Sequence, residues 1–199
     1  MTASEAPEGL PERALVLPGT VGVAVYDANC LFSKHLRYLL VGFAVHGIAR
    51  GRWSRKLLEE TAANLAGKLR GDSLEDLGRW LKTETALVRD GLVVGYERWI
   101  DQVEVPDAND ANDAHVVAAA IECGATTIVT SNLKDFPAER LARFEVEVVD
   151  PDAFVMRCID ANPVIAARLF DEAPSRERLL NRLEHEIPRS IARVRALLS

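Results

Sequence analysis

The chain has 199 residues, 48% of them hydrophobic, which suits one globular domain, or a domain with an appendage, that buries a substantial core. A net charge of −6 argues against indiscriminate binding to nucleic acid but leaves room for a local basic surface. Cys30, Cys123 and Cys158 form neither a CxxC pair nor a Cys/His metal pattern. We therefore expect buried free thiols and a cytoplasmic location.

The first 20 residues are predicted to be a flexible leader. They lack the basic start and the continuous apolar core of a signal peptide, and prolines interrupt them at positions 7, 11 and 18. The longest apolar stretch, residues 36–49, is broken by Arg37 and His46 and is too short to cross a bilayer. No membrane association is expected.

Residues 21–29, VGVAVYDAN, predict a strand that is buried on both faces, as in the centre of a parallel sheet. Asp27 stands at its carboxyl end, where ligands of open α/β sheets collect. The same residue is also a favoured helix cap. The strand alone leaves both roles open for Asp27.

The next 40 residues predict two helices and a concentration of positive charge. Residues 31–48 are apolar around most of a helical circumference, which indicates a largely buried helix. Ser54 is a suitable N-cap for a second helix over 55–67. No acidic residue occurs between positions 34 and 58, whereas six basic ones do: Lys34, Arg37, Arg50, Arg52, Arg55 and Lys56.

The middle of the chain predicts a helix from Asp72 or Ser73 to about Arg89, with residues 92–96 either a short strand or a last helical turn. Residues 103–106 are a further strand candidate. The polar turn 107–113 leads into a helix over 115–123 that Gly124 ends.

From residue 126 onward a strand (126–130), a short helix (137–144) and a last strand (146–149) continue the alternation. This order predicts a three-layer, Rossmann-like α/β domain with a parallel sheet over residues 21–150. Residues 151–199 are predicted to be an all-helical extension, whose helix starts are marked by Pro151, Pro163, Ser175 and Pro188.

Four acidic residues fall at comparable places in this plan. Asp27 and Asp135 follow strands, Asp113 begins a helix, and Glu60 lies near the start of the helix after Ser54. Parallel strands would bring such carboxylates to one edge of the sheet, where they repel one another unless a cation lies among them. Oxygen ligands of this kind suit Mg²⁺ or Mn²⁺ and phosphodiester hydrolysis.

The same positions resemble the motifs of PIN domains. The string VYDAN at 25–29 is similar to their first motif, and Ser54 followed by Glu60 to their helix-borne glutamate. NDAHVVAAA at 112–120 resembles the third motif and TSNLKDF at 130–136 the fourth. The resemblance spans residues 21–150 in order and spacing.

The resemblance implies a metal-dependent ribonuclease that acts on single-stranded or loop RNA, of the kind that serves bacteria as the VapC toxin of a type II toxin and antitoxin pair. It makes Asp27, Glu60, Asp113 and Asp135 the catalytic residues and the ligands of Mg²⁺ or Mn²⁺. Asn29 and Asn132 would support them by hydrogen bonds. It also implies an antitoxin partner, a homodimer and, in one branch of the family, a helical extension.

Two assignments stay open within that resemblance. Glu59 is adjacent to Glu60 and becomes the ligand if the helix is rotated by one residue. Asn132 stands where many relatives have an aspartate, so Asp135 either binds the ion directly or acts through water.

The basic segment between the first two acidic motifs is the candidate RNA surface, with Lys34, Arg37, Arg52 and Arg55 as phosphate contacts. Trp53 and Tyr38 are candidates for stacking on bases, although Trp53 is more simply explained as packing under the next helix.

Two other functions are compatible with parts of this pattern. One is a catalytically silent PIN-fold module that binds RNA or protein. The other is a phosphatase of the haloacid dehalogenase type, which is disfavoured because that family has a second aspartate where this chain has Asn29.

Overall fold

The computed structural model describes residues 9–68, 83, 86–103 and 113–198, and every structural statement below refers to these residues. Most of the helix predicted from Asp72 or Ser73, most of the strand candidate 103–106 and nearly all of the turn 107–113 lie outside them.

Five parallel strands form one sheet in the order β3-β2-β1-β4-β5. They are β1 (Val23–Tyr26), β2 (Arg50–Ser54), β3 (Leu92–Val93), β4 (Thr127–Val129) and β5 (Glu147–Val149). β1 is central and fully buried, as its unbroken apolar run predicts. The predicted parallel α/β fold is confirmed.

The sequence prediction missed β2. The sequence pattern assigns no strand to residues 50–54, whereas they form the strand that pairs with β1. Gly51 permits this pairing, because a Cβ there would lie 2.6 Å from Cε2 of Tyr26. The open choice at residues 92–96 is settled as a strand over 92–93.

The helix predicted over 31–48 is divided at Ser33 into α1 (Ala28–Phe32) and α2 (Lys34–Val45). Ser33 caps α2 by accepting a hydrogen bond from the Leu36 N–H at 3.4 Å. Ser54 caps α3 (Arg55–Lys68) through the Leu57 N–H, as predicted. The helices α4 (Ala114–Glu122) and α5 (Ala138–Leu141) complete the sheet region, and Gly124 ends α4 with a φ of 62°.

The chain after residue 150 is helical, as predicted. The helices are α6 (Pro151–Ala161), α7 (Pro163–Asp171), α8 (Arg176–Leu183) and α9 (Pro188–Leu198). Asp150, Asn162 and Ser175 cap the first three through backbone N–H groups. These helices share one hydrophobic core with the sheet.

The cap of α9 comes from another helix. Asp152, in the first turn of α6, is buried and accepts hydrogen bonds from the backbone N–H groups of Arg189 and Ser190 at 3.1 and 2.8 Å. Nε of Arg189 and Oγ of Ser190 also donate to its carboxylate, at 2.9 and 2.7 Å. This carboxylate therefore occupies the positive end of the α9 dipole.

The segment before β1 contacts the segment that precedes β5. Arg13 donates to the Phe144 carbonyl and lies 3.3 Å from a carboxylate oxygen of Glu145. All three cysteines are free thiols, with Cys30 and Cys158 buried and Cys123 half-buried. Within the described ranges, no helix is both long and apolar enough to cross a membrane.

Candidate active site at the carboxyl edge of the sheet

Asp27 lies directly after β1, at the carboxyl edge of the sheet, and caps the helix that follows. Its carboxylate accepts a hydrogen bond from the Ala28 N–H at 2.6 Å, which caps α1. Its second oxygen accepts from Nδ2 of Asn29 at 2.5 Å and from Oγ1 of Thr130 at 2.7 Å. Burial raises the pKa of Asp27, while the bonds from Thr130 and Ala28 oppose that rise.

Asn29 joins the ends of β1 and β4. Besides its bond to Asp27, its Nδ2 donates to Oγ1 of Thr130 at 2.8 Å, and its Oδ1 accepts from the Ser131 N–H at 3.0 Å. These contacts fix the loop after β4 against the first acidic residue. Asn29 thus holds the carboxylate of Asp27 by a hydrogen bond.

Asp135 belongs to the same network through the loop after β4. Oγ1 of Thr130 accepts from the Asn132 N–H at 3.0 Å, and Nδ2 of Asn132 donates to the Asp135 carboxylate. Hydrogen bonds therefore run without a break from Asp27 to Asp135.

Glu60 enters from α3 and meets His115 in the first turn of α4. The Glu60 carboxylate lies 3.1 Å from Nε2 of His115, a side chain that is only 2% exposed, and 3.9 Å from the Lys56 ammonium. Glu59 instead points to solvent beside Arg55, at 3.7 Å. Glu60, not Glu59, is the glutamate on the side of the acidic residues.

Asp113 directly precedes α4, and its pKa responds both to the Asp27 and Asp135 carboxylates and to the pair of Glu60 and His115. Burial and the charges of Asp27 and Asp135 raise its pKa to about 6, with a smaller contribution from Glu60 and an opposing one from His115. Burial is the larger cause of this rise, and the carboxylates of Asp27, Asp135 and Glu60 act on Asp113 as like charges.

These side chains are not arranged as a ready coordination sphere. Among the described residues, no three His, Cys, Asp or Glu side chains are placed to bind one metal ion. Oxygens of Asp27, Glu60 and Asp135 contact protein donors instead. The donor set is all carboxylate, however, and its mutual repulsion is what a hard divalent cation relieves, so the residues fit Mg²⁺ or Mn²⁺ in chemistry.

The four predicted RNA contacts differ in how far their side chains are exposed. Lys34 and Arg55 are exposed. Arg52 is half-buried and donates to the Gly51 carbonyl at 3.1 Å. Arg37 is fully buried and donates to the Leu31 carbonyl, so its assignment as a surface phosphate contact is wrong.

Neither aromatic candidate for base stacking is available on the surface. Trp53 is 1% exposed and packs against Tyr26, which agrees with the simpler interpretation of its role. Tyr38 is half-buried and donates to the Leu169 carbonyl at 3.0 Å, so it attaches α2 to α7.

Sequence reasoning gave no role to Thr130, which connects Asp27, Asn29 and Asn132. The signal was a hydroxyl residue directly after a buried strand, next to an Asn-containing loop. His115 is buried, and its Nδ1 has no hydrogen-bond partner among the described residues. Both depend on contacts distant in sequence.

A parallel five-stranded sheet flanked by helices, with acidic residues at its carboxyl edge, is the architecture of a PIN-like α/β domain. The chain is 28% identical over 129 residues to a protein of Mycobacterium tuberculosis (strain ATCC 25618 / H37Rv) named "Putative ribonuclease VapC50". The aligned part covers 61% of this chain and 76% of that relative. No protein-family model and no solved structure matches the chain.

Proposed function

We propose that this protein is a Mg²⁺- or Mn²⁺-dependent endoribonuclease that hydrolyses phosphodiester bonds in single-stranded or loop RNA. The observation that carries the proposal is the hydrogen-bond network that joins Asp27 to Asp135 at the carboxyl edge of the sheet, with the Glu60 carboxylate 3.1 Å from Nε2 of His115, two residues after Asp113. The similarity to a mycobacterial protein whose name includes ribonuclease supports it.

Each residue then has a stated task. Asp27, Glu60, Asp113 and Asp135 would hold the ion, which when bound supplies an activated water and neutralises charge on the phosphate. Asn29 and Thr130 orient Asp27, and Asn132 orients Asp135. His115 orients Glu60 from a buried position. The exposed Lys34 and Arg55, with Arg52, would contact RNA phosphates.

We also propose that the protein is a cytoplasmic toxin of a type II toxin-antitoxin pair, acts as a homodimer and is inhibited by a cognate antitoxin. This part rests on the VapC name of the relative and on the motif resemblance. Expression of the chain should arrest growth, and co-expression of a small protein from the neighbouring reading frame should restore it. Equal growth with wild type and Asp27→Asn would contradict the toxin assignment.

Cleavage of labelled single-stranded RNA in Mg²⁺ or Mn²⁺ tests the nuclease directly. Asp27→Asn and Asp113→Asn should lower kcat/KM by more than about a hundredfold, because loss of groups that only support metal ligands already costs about 10- to 100-fold. Asp101→Asn is the matched control, since Asp101 is an exposed carboxylate on the helical turn Tyr96–Gln102.

EDTA should stop the reaction, and added Mn²⁺ should restore it. Full activity in both aspartate variants, or a rate that EDTA leaves unchanged, would reject the proposed chemistry. RNA binding without cleavage would support the silent binding module instead.

A further inference from the structure

A second polar site lies on α8, away from the acidic edge. It is an open depression of about 580 Å³ whose described lining residues are Arg178, Asn181, Arg182 and His185. Steps of three and four residues place these side chains on one face of α8 and the turn after it, and all four are exposed.

The arginines of this face differ from the others in the helical region. Among the described residues, six of the eight arginines after residue 150 lie within 4.0 Å of a carboxylate: Arg157, Arg168, Arg176, Arg189, Arg193 and Arg195. Neither Arg178 nor Arg182 has such a partner among them. The two guanidinium groups that lack an internal counter-ion therefore share one depression.

Further charged groups lie beside this face. Lys34 and Arg37 of α2 act on His35 as positive charges together with Arg182, whereas Glu186 acts on it as a negative charge. Glu186 also accepts a hydrogen bond from Oγ of Ser33 at 2.8 Å, which places the turn after α8 against the start of α2.

The contact between Ser33 and Glu186 connects this face to the element that begins at the acidic edge. Ser33 follows α1, which starts directly after Asp27 and is about 7.5 Å long for its five residues. The turn after α8 therefore packs at the far end of the short helix that Asp27 caps.

We propose that Arg178 and Arg182 form a subsite for successive phosphates of a single RNA strand, and that this subsite holds the strand beside the acidic edge. The inference rests on the proposed function for its ligand. A guanidinium group donates two parallel N–H hydrogen bonds to the oxygens of one phosphate. On a helix, the Cβ atoms of residues i and i+4 lie about 5–6 Å apart. Four carboxylates repel RNA, so the strand must gain affinity elsewhere.

A protein partner suits this face less well. Protein interfaces have an apolar centre, but the apolar side chains of α8, Leu179, Leu180 and Leu183, are buried against the rest of the chain. The exposed face offers only charged and amide groups. An acidic peptide therefore serves as the competing ligand in the test.

The test compares R178Q/R182Q with R168Q/R176Q, which removes the same charge from arginines already paired with Glu172 and Asp171. Binding of a long fluorescent oligouridine is measured in EDTA, which prevents metal-dependent cleavage, at several salt concentrations. Each lost contact should reduce the slope of log K against log salt by about 0.7. Two contacts correspond to an affinity loss of about 25-fold at 0.1 M relative to 1 M salt.

The length of the RNA gives a second readout. A dinucleotide substrate held only at the acidic edge should be cleaved equally by both double variants, whereas the long oligouridine should show a higher KM with R178Q/R182Q and little change in kcat. Unchanged binding and KM in R178Q/R182Q, while wild type cleaves RNA, would overturn the subsite alone. Selective loss of binding to an acidic polyglutamate peptide would assign the face to a protein. No cleavage by wild type would instead reject the proposed function.

Discussion

Replacing Asp152 by alanine should destabilise the protein by about 3 kcal/mol, because it removes the acceptor of four hydrogen bonds at the start of α9. A local cap is worth about 0.5–2 kcal/mol, and loss of one partner of a buried charge pair costs about 3–5 kcal/mol. The lower part of the second range applies, since the Arg189 side chain is 62% exposed and regains water. The melting temperature should fall by about 6–12 °C.

Urea denaturation followed by circular dichroism measures this loss. Asp160→Ala is the control, because Asp160 lies on the same helix, is 59% exposed and pairs with Arg193 only at 3.6 Å. It should cost less than about 1 kcal/mol. Similar costs for the two variants would refute the reasoning.

The pH dependence provides an independent check. Burial opposes ionisation of Asp152, but hydrogen bonds from Ser190 and Arg189 outweigh it and lower the pKa. A lowered carboxyl pKa stabilises the fold above the unfolded value of about 4, and this stabilisation is lost as pH falls through the folded value. The difference between wild type and Asp152→Ala should therefore shrink in acid. A difference that stays constant down to the acid unfolding limit would contradict the assignment.

Three further outcomes are expected. In metal-free buffer at pH 7.5, Asp113→Asn should raise the free energy of unfolding by about 1 kcal/mol, because the pKa of about 6 means that the ionised form is disfavoured in the fold. This gain in stability should disappear below about pH 4. Denaturation curves of wild type and variant that coincide at pH 7.5 would contradict it. Thr130→Val should lower kcat/KM by about 10- to 100-fold, because Asp27 loses a hydrogen-bond donor while the side chain keeps its shape; unchanged kinetics would remove Thr130 from the site. Gly51→Ala should cost about 1–3 kcal/mol in a thermal melt, since its Cβ meets the Tyr26 ring; a neutral effect would mean that β2 shifts freely.

Local chemistry explains what the sequence predicted correctly. Strand β1 is a continuous apolar run, Gly124 ends α4, and the cap residues before Pro151 and Pro163 begin helices where expected. Each of these signals is contained within a few neighbouring residues. Strand direction likewise places Asp27 after β1 and Asp135 in the loop after β4.

The errors come from features that depend on distant contacts. Strand β2 contains two arginines and a glycine, and only its pairing with β1 and the fit of Gly51 against Tyr26 make it a strand. The sequence predicts Arg37 to be a surface cation, because the helix pattern does not show that α2 buries this side chain. The choice between Glu59 and Glu60 likewise required the position of His115 on α4.

Tyr26 connects the helical extension to the candidate active site, so removal of the extension would affect that site. Its ring packs edge-on against Phe154 of α6 at 5.7 Å, and its hydroxyl donates to the Leu40 carbonyl at 3.4 Å. A fragment that stops at Asp150 would lack Phe154, so the Tyr26 ring would face water on that side. Because Asp27 is the next residue, the segment that positions its carboxylate would lose packing. A minimal catalytic version of this chain should therefore be sought by redesigning α6–α9 in place, not by cutting them off.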